Sequence, residues 1–230
     1  MVEFSTSGVL SDDLNDGKKL FAKLIGAEPA EIGLVENTST GLNIIANMLK
    51  YPSGSNVVTT DLEYPSVVYP WLRKKLGVKV RYVKNVDGKI LLDDFEKAVD
   101  DKTVVVAISH VEYMNGFRND LSSLADVAHE QGAYFVVDAI QSAGAIQTDV
   151  KRDQVDFLTT GCYKWLLGPA GAGYLYVRKE LIEKFEPPMV GWASVKPEVF
   201  ETIDFWDIWN LELSETASRF EVGCPSFMSY

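Results

Sequence analysis

The chain has 230 residues, 47% hydrophobic and 24% charged, the make-up of a folded globular protein rather than a disordered one. Its 33 acidic and 22 basic residues leave a formal charge of −11. That argues against nucleic acid as a partner, which calls for a basic face, and against docking on anionic lipid. The length fits one large domain with a sizeable core.

In chain order, short apolar runs rich in β-branched residues alternate with amphipathic stretches. Residues 11–25 place Leu14, Leu20, Phe21, Leu24 and Ile25 near a 3.6-residue period, which predicts a helix capped by Ser11 and stopped by Gly26. IGLVE (32–36) reads as a strand, and residues 38–49 as a helix with Leu42, Ile45, Met48 and Leu49 on one side. NVVTT (56–60), VKVRYV (78–83) and TVVVAIS (103–109) are further strands. A helix over 120–131 carries Leu121, Leu124, Val127 and Ala128 and ends at Gly132. YFVVD (134–138), DFLTT (156–160) and GYLYVR (173–178) are the last three strands.

Apolar strands separated by helices predict a parallel sheet covered on both faces, hence a three-layer α/β/α fold with a mostly parallel seven-stranded sheet. Ligands of such sheets gather at the carboxyl ends of the strands. From Glu186 onward the chain is rich in Pro and Trp, including Trp192, Trp206 and Trp209, and loses its periodicity. The expected division is a domain over 1–185 and an ordered loop segment over 186–230 that packs on that domain or on a partner.

The two cysteines, Cys162 and Cys224, make neither a disulfide framework nor a metal-ligand pattern, which points to a reducing, cytoplasmic setting. The start has no basic segment followed by an apolar one, so no secretory signal is expected. The apolar run Val104–Ile108 is far short of the ~20 residues of a membrane span.

Four segments place reactive residues at or just beyond strand ends. Each also has an ordinary structural explanation. Asp138 ends an apolar strand, where a carboxylate caps a turn or, if buried, needs a partner. Lys164 precedes a Trp-Leu-Leu run; it is a snorkelling surface residue, or an amine made nucleophilic by apolar surroundings. Asn37-Thr38-Ser39-Thr40-Gly41 opens a helix; its hydroxyls serve as caps, as an anion site, or as both. His110, one of two histidines, ends a strand; it is a satisfied structural residue, or it stacks on a flat ligand or moves protons. Together they supply an imine-forming lysine, an acid for a ring nitrogen, a phosphate cradle and a ring partner, which is the set that pyridoxal phosphate (PLP) requires.

At this point the chain resembles the class V aminotransferases, a family of fold-type I PLP enzymes. It includes cysteine desulfurases, serine–glyoxylate and alanine–glyoxylate aminotransferases and isopenicillin N epimerase-like proteins. The resemblance runs from about Lys18 to Pro225. It is carried by LIGAEPAEIGLVENTSTGLNIIANML, DLEYPSVVYPW, HVEYMNGFRNDLSSLADVAHEQGAYFVVDAIQSAG and TTGCYKWLLGPAGAGYLYV.

The resemblance implies that Lys164 holds PLP as a Schiff base and later moves the α-proton. It implies that Asp138 keeps the pyridine nitrogen protonated. Gln141, one helical turn on, bonds the phenolic oxygen, and His110 stacks on the ring. Thr38 and Ser39 bind the phosphate, with Tyr163 and Thr160 as further cofactor contacts. The seventh strand, GYLYVR, runs antiparallel. No metal is implied. The implied partners are a small amino-acid substrate and a second copy of the chain, in a homodimer.

The departures also matter. The family's N-terminal arm and small C-terminal domain have no counterpart here, and with the latter goes the arginine that binds the substrate carboxylate. Where the family has Gly-Thr-Pro, this chain reads Gly223-Cys224-Pro225. Neither cysteine matches the persulfide-forming one of desulfurases. The leading expectation is a PLP enzyme acting on the α-amino group of an amino acid, by transamination or epimerisation. The alternatives are desulfurase-type lyase chemistry and an incomplete PLP-binding fragment that needs a partner chain. A nucleotide-binding oxidoreductase is disfavoured, because GPAGAG precedes a strand instead of following one.

Overall fold

A computed structural model describes residues 7–196 and 211–223. Seven strands form one sheet: β1 (Ile32–Val35), β2 (Asn56–Thr60), β3 (Lys79–Val83), β4 (Thr103–Ser109), β5 (Tyr134–Asp138), β6 (Phe157–Gly161) and β7 (Gly173–Val177). Their spatial order is β1-β7-β6-β5-β4-β2-β3. The pairs from β6 to β3 are parallel, and β7 runs antiparallel to both β1 and β6. The seven expected strands are all present, GYLYVR antiparallel among them.

Alternate residues of each strand feed two separate cores, as the period of two requires. On one face Val58, Val106, Ile108, Phe135, Val137 and Leu158 pack under helices α1 (Ser7–Ile25), α4 (Leu92–Ala98) and α5 (Leu121–Glu130). On the other, Val57, Val105, Ala107, Val136 and Phe157 pack under α2 (Thr38–Met48), α3 (Pro65–Val68) and α6 (Lys179–Ile182). The result is the three-layer α/β/α arrangement expected.

The sheet's edges are handled differently. The β3 edge is guarded by charge, since Lys79 and Arg81 stand on a half-exposed strand. The β1 edge is covered by the tail. Glu221 Oε1 accepts the Leu34 N–H (3.1 Å) and pairs with Lys18 (2.6 Å), and Ala217 and Phe220 enter the second core. Ser194 Oγ donates to the Glu221 carbonyl and ties the Trp192–Ser194 turn to the same point. The described tail residues therefore pack on this sheet. Trp206, Trp209, Cys224 and Pro225 lie outside the described residues.

Two local expectations change. α1 begins at Ser7, so Ser11 sits inside the helix and does not cap it. Its buried stripe is Phe21, Ala22 and Ile25 with Leu14 beside them, whereas Leu20 and Leu24 face solvent. The stripe is narrower because only one arc of α1 meets the sheet. Gly26 (φ 72°) and Gly132 (φ 75°) take the left-handed conformation that ends α1 and α5.

The second helix lies close on β6. A Cβ at Gly41 would overlap Thr159 Oγ1 and stand 2.8 Å from Thr159 Cβ. Gly41→Ala is expected to destabilise the fold by about 1–3 kcal/mol through overpacking, read as a lowered urea midpoint at unchanged slope.

Candidate active site

At the carboxyl edge of the sheet three residues stand in one row: Thr159 pairs with Asp138 across β6–β5, and Asp138 with Ser109 across β5–β4. The Asp138 side chain is 2% exposed, and its Oδ1 accepts the Ile140 N–H (2.9 Å). Burial pushes its pKa up to about 6, against the opposing pull of that N–H and of the Lys164 charge. Lys164, half-buried, lies three residues beyond β6 in the connection to β7, and it is the cation whose charge Asp138 feels.

The hydroxyl turn meets the same corner. Val35 and Gly161 flank Gly173 on either side, so β1 delivers the start of α2 to the end of β6. A Cβ at Gly173 would stand 3.4 Å from Asn37 Cα and 3.3 Å from Gly161 Cα, which shows how close these backbones run. Asn37 caps α2 by accepting the Thr40 N–H (2.9 Å). Thr38 is buried, and its Oγ1 has no hydrogen-bond partner. Ser39 Oγ, at the surface, pairs with Ser66 Oγ (2.7 Å). An unsatisfied hydroxyl at a helix N-terminus is a place that accepts an anion.

The remaining expected residues are placed less uniformly. Tyr163 is exposed, and burial of its phenol, the Asp138 charge and Tyr64 all raise its pKa. Gln141 is half-buried in a series of turns after β5, where no helix forms, so the helical turn expected between it and Asp138 is absent. Thr160 is buried with its hydroxyl donating to the Gly161 carbonyl (3.2 Å).

His110 departs most from expectation. Its main chain joins the row, donating to the Asp138 carbonyl (2.9 Å). Its ring, 2% exposed, sits instead between Arg118 Nε and Thr148 Oγ1, each 3.4 Å away. It lines a cavity of about 460 Å³ with Arg118, Asn119, Arg152 and Asp153. Burial, then the Arg118 charge, lowers its pKa to about 4, so the ring is neutral.

Three residues escaped the sequence reading. Tyr64 follows Glu63 in the DLEYPSVVYPW segment; its half-exposed ring stands edge-on to Tyr113 (5.2 Å between centroids) and is felt by the Tyr163 phenol. Glu63 and Glu112 are buried near Asp138. The aromatic residue beside a glutamate in a quoted motif was the available signal for Tyr64. Burial of the two glutamates has no signal in composition or spacing.

The fold thus brings a half-buried lysine, a buried aspartate that feels its charge, and a helix start with an unsatisfied hydroxyl to one corner of an α/β sheet. The chain belongs to the aminotransferase class-V family, whose model matches residues 4–230. It is 35% identical over 209 residues to the uncharacterized aminotransferase YcbU of Bacillus subtilis (strain 168), covering 91% of this chain and 54% of that protein. It is 36% identical over 225 residues to a probable cysteine desulfurase of Pyrococcus abyssi, covering 96% and 54%. The apo cysteine desulfurase of Thermococcus onnurineus NA1 superposes with a TM-score of 0.87 at 34% identity, over 97% of this chain and 55% of that one. The chain thus spans about half the length of the curated relatives it matches. Among the described residues no helix is long and apolar enough to cross a membrane.

Proposed function

We propose that this chain is the cofactor-binding part of a PLP-dependent enzyme acting on the α-amino group of a small amino acid, with residues 1–185 as the PLP-binding domain. The observation that carries this reading is a buried Asp138 within electrostatic reach of Lys164 at the edge where the α2 hydroxyl turn converges. The residues fit the group. The orphan Thr38 hydroxyl and the α2 N-terminus suit its phosphate, with Ser39 beside them. Asp138, buried and acceptor-only when ionised, suits a protonated ring nitrogen.

When bound, PLP supplies an electron sink for charge that develops at the substrate Cα. Lys164 holds the group through its amine and moves the proton at Cα. Asp138 holds the proton at the ring nitrogen. Tyr64, exposed and within electrostatic reach of Tyr163, is a further candidate for the flat face beside His110, whose ring contacts Arg118 and Thr148. Gln141 and Tyr163 are the polar groups nearest in sequence to Asp138 and Lys164.

Tyr163, Trp165 and Leu167, next to the lysine in sequence, and the Tyr64–Tyr113 pair are all exposed and apolar. A second copy of the chain covers them in the proposed homodimer. The cytoplasm is the compartment that suits a PLP enzyme of this composition.

A second reading, desulfuration, is favoured by the similarity to cysteine desulfurases. Cys162, the free cysteine among the described residues, does not serve it, because burial pushes its thiol up to about 11.

The test is a titration of the purified chain with PLP, followed by borohydride reduction and peptide mapping. A near-visible imine band locked onto Lys164 is expected. A folded sample that gives no band, or a label on another lysine, overturns the reading. Sulfide release from cysteine decides for the second reading over the first.

A further inference from the structure

Behind the row of strand ends lies a cluster that the lysine–aspartate chemistry does not use. Glu63, in the loop after β2, is buried, and its two oxygens accept the Ser109 N–H (2.5 Å) and the Ser109 hydroxyl (2.6 Å). Glu112, 1% exposed, accepts the Asn119 amide on Oε1 (2.9 Å). The same Asn119 nitrogen also donates to the Ser109 carbonyl (2.9 Å). Glu63 thus grips Ser109 directly and Glu112 reaches it through Asn119, and Ser109 is the strand partner of Asp138. Glu112 Oε2 is buried without a well-formed hydrogen bond, although the Thr60 hydroxyl stands near it.

Three buried carboxyls cannot all be ionised here. Glu63 faces Glu112 and Asp138, and Glu112 faces Asp138 and Asp61. Lys164 is the cation that Asp138 faces, and Lys84 lies on the outer side of Asp61 (3.5 Å). His110, the next residue along β4, is neutral. Two carboxylates held at close quarters release their protons as a pair, not singly.

We propose that Glu63 and Glu112 act as one unit that holds a single proton and a single negative charge behind Asp138. They are positioning residues: they touch neither substrate nor cofactor, and they act through Ser109 and Asp138. Their shared proton lets two carboxyls clamp the strand end without placing two charges there. Their shared charge biases the Asp138 neighbourhood toward keeping a bound ring cationic. Burial raises the proton affinity of both groups, Glu112 to about 7, in line with one retained proton.

This inference rests on the PLP reading for its effect but not for its existence, so the test has two arms. The first needs no cofactor. Infrared spectra of the chain at pH 7 should show the carbonyl stretch of a buried protonated carboxyl, lost in Glu63→Gln and lost equally in Glu112→Gln. Asp138, mostly ionised at that pH, contributes little to the band and is unchanged in both variants. The second arm follows the pH titration of the imine band with PLP bound. Either single variant should titrate within about 0.3 pH unit of the unsubstituted chain, because the remaining glutamate takes the charge. The double variant should titrate about one unit lower, as expected when a buried charge acting through an effective dielectric of about 20 is removed.

Additive shifts in the two single variants would mean two charges and overturn the proposal. So would a double variant that titrates unchanged, or a protonated-carboxyl band absent from the unsubstituted chain. Ser109→Ala, which removes one donor and no carboxyl, guards against misfolding of the glutamine variants. It should strengthen proton retention by the pair and keep the infrared band. Absence of any imine band in the unsubstituted chain speaks against the PLP reading alone, and the infrared arm still decides this one.

Discussion

Lys164→Ala should abolish the imine band completely while leaving the protein folded. The side chain is half-buried in a connection, fills no core position and faces Asp138 only through its charge. Removing it should change stability by no more than about 0.5 kcal/mol, the usual range for a substitution that leaves the core intact. Borohydride should then fix no label on the chain, and PLP should bind only through its phosphate and ring. Far-ultraviolet circular dichroism and the urea midpoint separate loss of the nucleophile from loss of the fold. An imine band that persists in this variant would move the chemistry to another amine.

The second large effect belongs to Asp138→Asn, and it has two signatures. With PLP bound, the rate at which an amino acid exchanges its α-proton for deuterium should fall about 10²–10³-fold, the scale on which one preorganised electrostatic partner is missed. In the protein without cofactor the same change should be stabilising. The Asp138 carboxyl has a pKa of about 6 in the fold against 3.8 for the ordinary group. The native state therefore holds an extra proton between these values, and stability falls as pH rises through that window. Asparagine has no proton to lose. The variant should match the parent near pH 4 and exceed it by roughly 3 kcal/mol well above pH 6. Urea unfolding at the two pH values measures the difference, and equal stability at both would place the Asp138 charge in a wetter setting than its burial indicates.

Much of the fold was legible because the middle strands are buried on both faces, so that runs such as TVVVAIS and YFVVD stand out without needing alternation. The placing of Asp138 at the end of β5, and of Thr38 and Lys164 in the turns just beyond β1 and β6, was legible for a related reason: polar residues break an apolar run where the strand leaves the core. Orientation was not. His110 follows directly on β4, yet its ring leaves the row for Arg118, in the connection to α5, and Thr148, in the connection from β5 to β6. Leu20 and Leu24 match the helical period of α1 but fall outside the arc that meets the sheet. Glu63 and Glu112 carry no distinguishing pattern in a chain of net −11, and only the folded packing shows them buried against Ser109 and Asn119.

The antiparallel placing of β7 also bears on how the protein assembles. Gly161 pairs with Gly173, so the segment bearing Lys164 is closed by two strands adjacent in sequence. The Asp138 row needs parallel partners brought from much farther along the chain, Ser109 from β4 and, through it, Glu63. Contacts of short sequence separation form sooner, because less loop entropy must be lost first. On that ground the amine is expected on a formed hairpin before its acid's row is complete, and pulsed hydrogen exchange during refolding should protect β6 and β7 before β4. If PLP binds as proposed, its capture with the spectrum of the finished site would then mark the closing of the distant strands.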